Sequence, residues 1–235
     1  ALDTATPVES MALVQGQLAL ADQRVRRPRR RGTALGMALH ELLLSADRLP
    51  AHLAAIAVGV GPGAFTGLRV GIATAQGMAR ALGIPLYTFD STLGLACAVD
   101  FGDADVAVVI DARRDEIYSA IYAPRGEDAL PARCRPTTIE SPARFALAAR
   151  AHREQRGRPL LVVGDGALLH AESIGAALGE GAVRFHAQPA GPALAAIAAD
   201  AGRRFRSGEP GAIQSAQPVY LRDHDASRAR GVGQP

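Results

Sequence analysis

The stretch Gly59-Val60-Gly61-Pro62-Gly63-Ala64-Phe65-Thr66-Gly67-Leu68-Arg69-Val70-Gly71 constrains the fold of this chain more than any other. It follows Ala55–Val60, a continuous apolar run of the kind a strand covered on both faces shows. Glycine frees the backbone for a sharp turn with amide groups pointing outward, and Thr66 stands where it could cap a helix running to about Leu82. Helix N-termini attract anions. One reading is therefore a phosphate or nucleotide site built from Asp3, Thr4 and Thr6 after the first strand, Gly61 and Gly63 in the turn, and Asp111 further on. The other is a tight structural turn beside a capped one. Gly61, Gly63 and Gly67 give G-x-G-x-x-x-G, one residue longer than a dinucleotide fingerprint, and the segment is not a Walker loop.

The helix after the turn carries two stripes. Leu68, Ile72, Ala75, Ala79 and Leu82 form an apolar one, while Gly67, Gly71, Thr74, Met78 and Ala81 form a second of mostly small residues. An earlier helix, starting at Thr33, shows Leu35, Leu39, Leu42 and Ala46 at helical spacing, with Met37, His40 and Leu44 off that face. A helix apolar on nearly all sides is covered on more than one of them. The cover is either the rest of this chain or a partner, and Met37, His40, Leu44, Gly67, Gly71, Thr74 and Met78 are the candidate partner-binding residues.

Three strands, the last two forming a hairpin about Gln15-Gly16-Gln17, precede alternating helices and strands, and a second part of similar style follows. The expected architecture is α/β with mixed sheets in two lobes. The first lobe spans residues 1–98 and the second lobe spans 99–235. In the second lobe Val106–Ile110 and Ile117–Ala123 read as strands, and Pro124–Pro142 as irregular chain. A last amphipathic helix, about 190–207, is expected to pack back on the first lobe. Residues after Arg222 have little apolar content and read as a mobile tail, and the opening Ala1-Leu2-Asp3 reads as the end of a strand that begins earlier.

All 26 basic side chains are arginine, which removes Schiff-base and Walker-lysine chemistry. Histidines are scattered without an H-E-x-x-H helix, and no G-x-S-x-G elbow occurs, so no catalytic residue and no metal ligand is assigned. Cys97 and Cys134 stand alone. Without Arg24, Arg26, Arg27, Arg29, Arg30 and Arg31 the chain is net acidic, so any direct RNA contact would rest on this cluster, whose bland alternative is a solvated loop. No apolar run is long enough to span a bilayer, and the expected location is the cytoplasm.

Several segments, in order and at matching spacing over nearly the whole chain, resemble the TsaB family, also called YeaZ-like or Gcp-like. They are Leu2-Asp3-Thr4-Ala5-Thr6, the glycine stretch continuing through Ala73-Thr74-Ala75-Gln76-Gly77 and Gly83-Ile84-Pro85, Asp111-Ala112-Arg113-Arg114 with Glu116 and Tyr118, Gly164-Asp165-Gly166, and Pro218-Val219-Tyr220-Leu221-Arg222. The resemblance implies the actin, sugar-kinase and Hsp70 type of fold. It further implies a non-catalytic subunit in synthesis of N6-threonylcarbamoyladenosine on tRNA, paired with a TsaD-like catalytic subunit through helices of the first lobe and acting with a TsaE-like ATPase. On this reading the chain needs no cofactor itself, tRNA is met through the complex, ATP or ADP with magnesium belongs at the complex interface, and a homodimer is expected in isolation. The alternative is an ATP- or ADP-binding enzyme or switch using the interlobe cleft. Family members often carry His-Ser before the first helix, where this chain has Arg30-Arg31-Gly32-Thr33.

Overall fold

The computed structural model describes residues 1–26, 34–124, 129–178, 183–186 and 191–222. Two five-stranded sheets repeat one plan. The first half supplies β1 (Leu2–Asp3), β2 (Val8–Gln15), β3 (Leu18–Arg26), α1 (Ala34–Ser45), β4 (Ile56–Gly59), α2 (Phe65–Leu82) and β5 (Leu86–Phe89), followed by α3 (Ser91–Ala96). The second supplies β6 (Asp105–Arg113), β7 (Glu116–Ala123), β8 (Ala132–Glu140), α4 (Pro142–Arg156), β9 (Leu160–Val163), α5 (Asp165–Leu169), α6 (Ala171–Leu178) and β10 (Val183–Phe185), followed by α7 (Ala195–Arg206). Strand orders are β3-β2-β1-β4-β5 and β10-β9-β6-β7-β8, the same order read from opposite edges. In each, three antiparallel strands in succession are joined by two parallel ones, the second set entering beside the first strand.

Parallel neighbours need helical crossovers, and these cover one face of each sheet. Leu35 and Leu42 of α1 and Leu68, Ile72, Ala75 and Ala79 of α2 meet Leu2, Met11 and Val58 in the first core. Phe145, Ala149, Ala167 and Ile174 do the equivalent work against Val109, Ile117 and Val162. The opposite faces are covered by exchange. Leu95 and Ala96 of α3 lie on Val106, Val108 and Ile110 of the second sheet, while Ile197 and Ala201 of α7 lie on Ala12, Ala57 and Tyr87 of the first. Truncating one such buried Leu or Ile to Ala costs about 2–5 kcal/mol.

Residues 132–140, expected to be irregular, form β8 instead. Pro136 is tolerated because β8 is an edge strand. Its register steps from Arg135 opposite Ile121 to Thr138 opposite Ser119, which leaves two residues against one at the proline, a bulge. The expected cap also moves: α2 begins after Ala64, which has no side-chain capping bond, and Thr66 lies exposed inside the first turn. At the far end Gly83, at φ +66, donates its amide to carbonyls of the last turn, which an L side chain would resist. Residues 223–235, read as a mobile tail, lie outside the described residues.

Candidate docking face and the loops beside it

The turn after β1 and the glycine turn after β4 close on each other. Asp3 is fully buried, its Oδ1 accepts the Ala5 amide at 2.8 Å, and its Oδ2 has no hydrogen bond of acceptable geometry among the described residues. A Cβ at Gly59 would lie 1.9 Å from that Oδ2, so the strand must end in glycine for the carboxyl to fit. Burial pushes the Asp3 carboxyl up to about 6, with the Ser91 hydroxyl and the Ala5 amide pulling down and Asp90 adding to the rise. Thr4 Oγ1 donates to the Gly67 carbonyl at 2.8 Å, and Thr6 Oγ1 donates to Val8 O at 2.9 Å. The Ala64 amide donates to Ala5 O at 2.7 Å, beside a Gly63 whose added Cβ would stand 2.4 Å from the same oxygen. Gly61, at φ +106, donates its amide to Ser91 Oγ.

Asp3, Thr4, Thr6, Gly61 and Gly63 are thus brought together as the phosphate reading requires, but as a packed knot in which both threonine hydroxyls bond to backbone carbonyls of this chain. The geometry fits the structural-turn reading. Asp111 belongs to the second sheet, where its Oδ1 accepts the Arg113 amide, its carboxylate pairs with Arg113, and its own amide donates to Asp165. Burial raises the Asp165 carboxyl, the amides of Asp111 and Gly166 opposing.

The candidate partner residues separate into two groups. Met37, His40 and Leu44 project outward from α1, with Met37 62% and Leu44 57% exposed. Gly67 and Gly71 face the other way and are corrected here: both are buried, and a Cβ at Gly71 would come 2.2 Å from Thr4 Oγ1. Gly71 is small so that α2 can lie against the turn after β1, Gly67 accepts the Thr4 hydroxyl there, and both are covered by this chain's own residues. Thr74 and Met78 are half-buried, Met78 packing on the first core. The outward face of α2 is instead Thr66, Val70, Ala73 and Gly77, flanked by Arg69 and Arg80, and a Cβ at Gly77 would meet nothing within 4 Å. Their i, i+4, i+7, i+11 spacing is present in the sequence, but with glycine at 67, 71 and 77 no pattern says which of them turns inward; the steric demand of Thr4 decides.

A cluster unforeseen from the sequence sits at the first turn of α2. The rings of Phe65 and Tyr220 stack with centroids 5.3 Å apart, the Arg69 guanidinium lies 3.9 Å over Phe65, and Arg69 Nε donates to the Tyr220 hydroxyl at 3.2 Å. Only tertiary structure joins positions so far apart in the chain. Of the arginine cluster, Arg24 and Arg26 end β3, and Arg24 lies 3.5 Å from Asp22. Arg27, Arg29, Arg30 and Arg31 lie outside the described residues. Among the described residues no helix is long and apolar enough to cross a membrane.

The model of a family described as TsaD, tRNA N6-adenosine threonylcarbamoyltransferase, matches residues 29–229. The chain is 30% identical over 122 residues to the tRNA threonylcarbamoyladenosine biosynthesis protein TsaB of Bacillus subtilis, the match covering 52% of this chain and 53% of that one. It is 32% identical over 124 residues to the protein of the same name from Escherichia coli, covering 52% and 53%. The matched region thus spans about half the length of these curated relatives. Among solved structures, YeaZ from Pseudomonas aeruginosa superposes with a TM-score of 0.76 at 29% identity, covering 94% of this chain and 97% of that one.

Proposed function

We propose a function on the premise that this chain belongs to the TsaD-type threonylcarbamoyltransferase family, in its TsaB/YeaZ branch, and has the actin, sugar-kinase and Hsp70 type of fold. It acts in synthesis of N6-threonylcarbamoyladenosine on tRNA as a partner subunit, docking a TsaD-like catalytic subunit and working with a TsaE-like ATPase. The docking element is the joint outward face of α1 and α2.

One observation carries this reading. Both helices pack on the same face of the first sheet, α1 over β2 and β3 and α2 over β1 and β4, and both turn apolar or small residues outward: Met37 and Leu44 on one, Val70, Ala73 and Gly77 on the other. Small residues let a partner helix approach closely, and exposed Met and Leu supply area to bury against it. The threonine hydroxyls that a phosphate-binding reading would need are bonded to carbonyls of the chain itself.

The test is co-purification with the TsaD-like subunit of the same genome. Gly77→Leu and Ala73→Arg should abolish the complex while leaving the thermal midpoint of the isolated chain within a few degrees of the parent, because both positions face outward. Retained pairing in both variants rejects the α2 face.

A further inference from the structure

Residues 209–222 run back across the molecule as a strap. Tyr87 Oη donates to Glu209 O at 2.8 Å and the Ala212 amide to Leu86 O at 2.6 Å, which seats the start of the strap along β5. Gln76 of α2 donates through Nε2 to Ile213 O at 2.8 Å and Ala216 O at 3.0 Å. The Val219 amide donates to Val60 O at 2.8 Å, and Tyr220 stacks on Phe65 under the Arg69 guanidinium. Each of these contacts is with the first half of the fold, while Glu209 also pairs with Arg204 of α7, the helix laid on the first sheet.

Arg222 then crosses to the second sheet. It pairs with Glu116, the first residue of β7, and donates to Arg113 O at 3.4 Å. The carbonyl it reaches belongs to the β6–β7 turn, where Arg113, Arg114 and Asp115 hold φ values of 65°, 57° and 55°. Three successive residues with side chains in the left-handed region are costly, and such a turn persists when its surroundings hold it.

We propose that residues 219–222 form an intramolecular latch that fixes the β6–β7 turn of the second half against the first turn of α2. Only Leu221 separates the residue anchored to α2 from the residue anchored to β7. Two residue steps span at most about 7 Å between Cα atoms, so a displacement between the halves that exceeds the slack of the Tyr220 and Arg222 side chains must break one anchor. An isolated surface ion pair holds little, but here Tyr220 and Val219 already order the backbone that carries Arg222, and the pair forms at high effective concentration. Since Phe65 and Arg69 open α2, loosening of the second half reaches the helix whose outward face begins at Thr66. The latch is independent of whether another subunit docks there.

The experiment measures the distance between the halves in the full chain. Cys134, exposed on β8, takes one spin label and Ser45→Cys at the end of α1 the other, in a background where the half-buried Cys97 is replaced by Ala. Arg222→Ala and, separately, Glu116→Gln should broaden the distance distribution and shift its mean by more than about 2 Å. The exchange Arg222→Glu with Glu116→Arg should restore the narrow distribution. An unchanged distribution in both single variants overturns the latch, and a broad one that the exchange fails to narrow overturns its assignment to this pair.

Discussion

Thr4 and Gly71 hold α2 against the first sheet. The threonine hydroxyl donates to Gly67 O at 2.8 Å, and any Cβ added at Gly71 would stand 2.2 Å from that hydroxyl oxygen. Helix and strand approach here as closely as a glycine permits, and the two residues that define the contact are far apart in the chain.

Gly71→Ala should therefore be destabilising where Gly77→Ala is not. Forcing a methyl into a closed contact costs about 1–3 kcal/mol. At Gly77 the methyl enters open space and gains helix propensity, for about 0.5–1 kcal/mol of stabilisation. Urea midpoints of the two variants at pH 7 should move in opposite directions from the parent; movement in the same direction would contradict the orientation of α2.

Asp3 should give stability a pH dependence of definite sign. Its carboxyl is raised from 3.8 to about 6 in the folded chain, so the folded state holds a proton that the unfolded state releases. The associated stability is fully present below about pH 4 and is lost as pH rises through 6, a difference of about 3 kcal/mol for this group. Asp3→Asn keeps the oxygen that accepts the Ala5 amide and removes the titration. Unfolding free energies between pH 4 and 7 should fall less steeply in the variant, and parallel profiles would show that Asp3 ionises normally in the fold.

The arginine cluster carries a separate expectation. If the complex touches the tRNA backbone through it, replacing Arg24, Arg26 and Arg27 with Gln should weaken tRNA binding of the assembled complex and reduce the slope of log affinity against log salt by about one for each lost phosphate contact. An unchanged slope assigns the cluster to solvent.

Strand and helix existence was largely legible in the sequence, because burial on both faces leaves a continuous apolar run, as in β4 and β6, and burial on one leaves helical spacing, as in α1 and α2. β8 was not legible: Pro136 and the arginines of residues 132–140 carry the signature of loop, and only pairing with β7 at an edge makes them a strand. The outward orientation of Met37, His40 and Leu44 could be read directly from their offset to the core stripe, whereas the rotation of α2 could not.

Periodicity and composition by themselves determined the order of elements apart from β8, the glycine turn between β4 and α2, and the removal of lysine chemistry, since each follows from local backbone freedom or from residue inventory. Tertiary structure alone decided which glycines of α2 face inward, that the hydroxyls of Thr4 and Thr6 bond to backbone carbonyls, and that Tyr220 and Arg222 connect the two halves. Those outcomes depend on distances between residues remote in the chain, and a contact too close for one methyl group leaves no trace in a one-dimensional pattern.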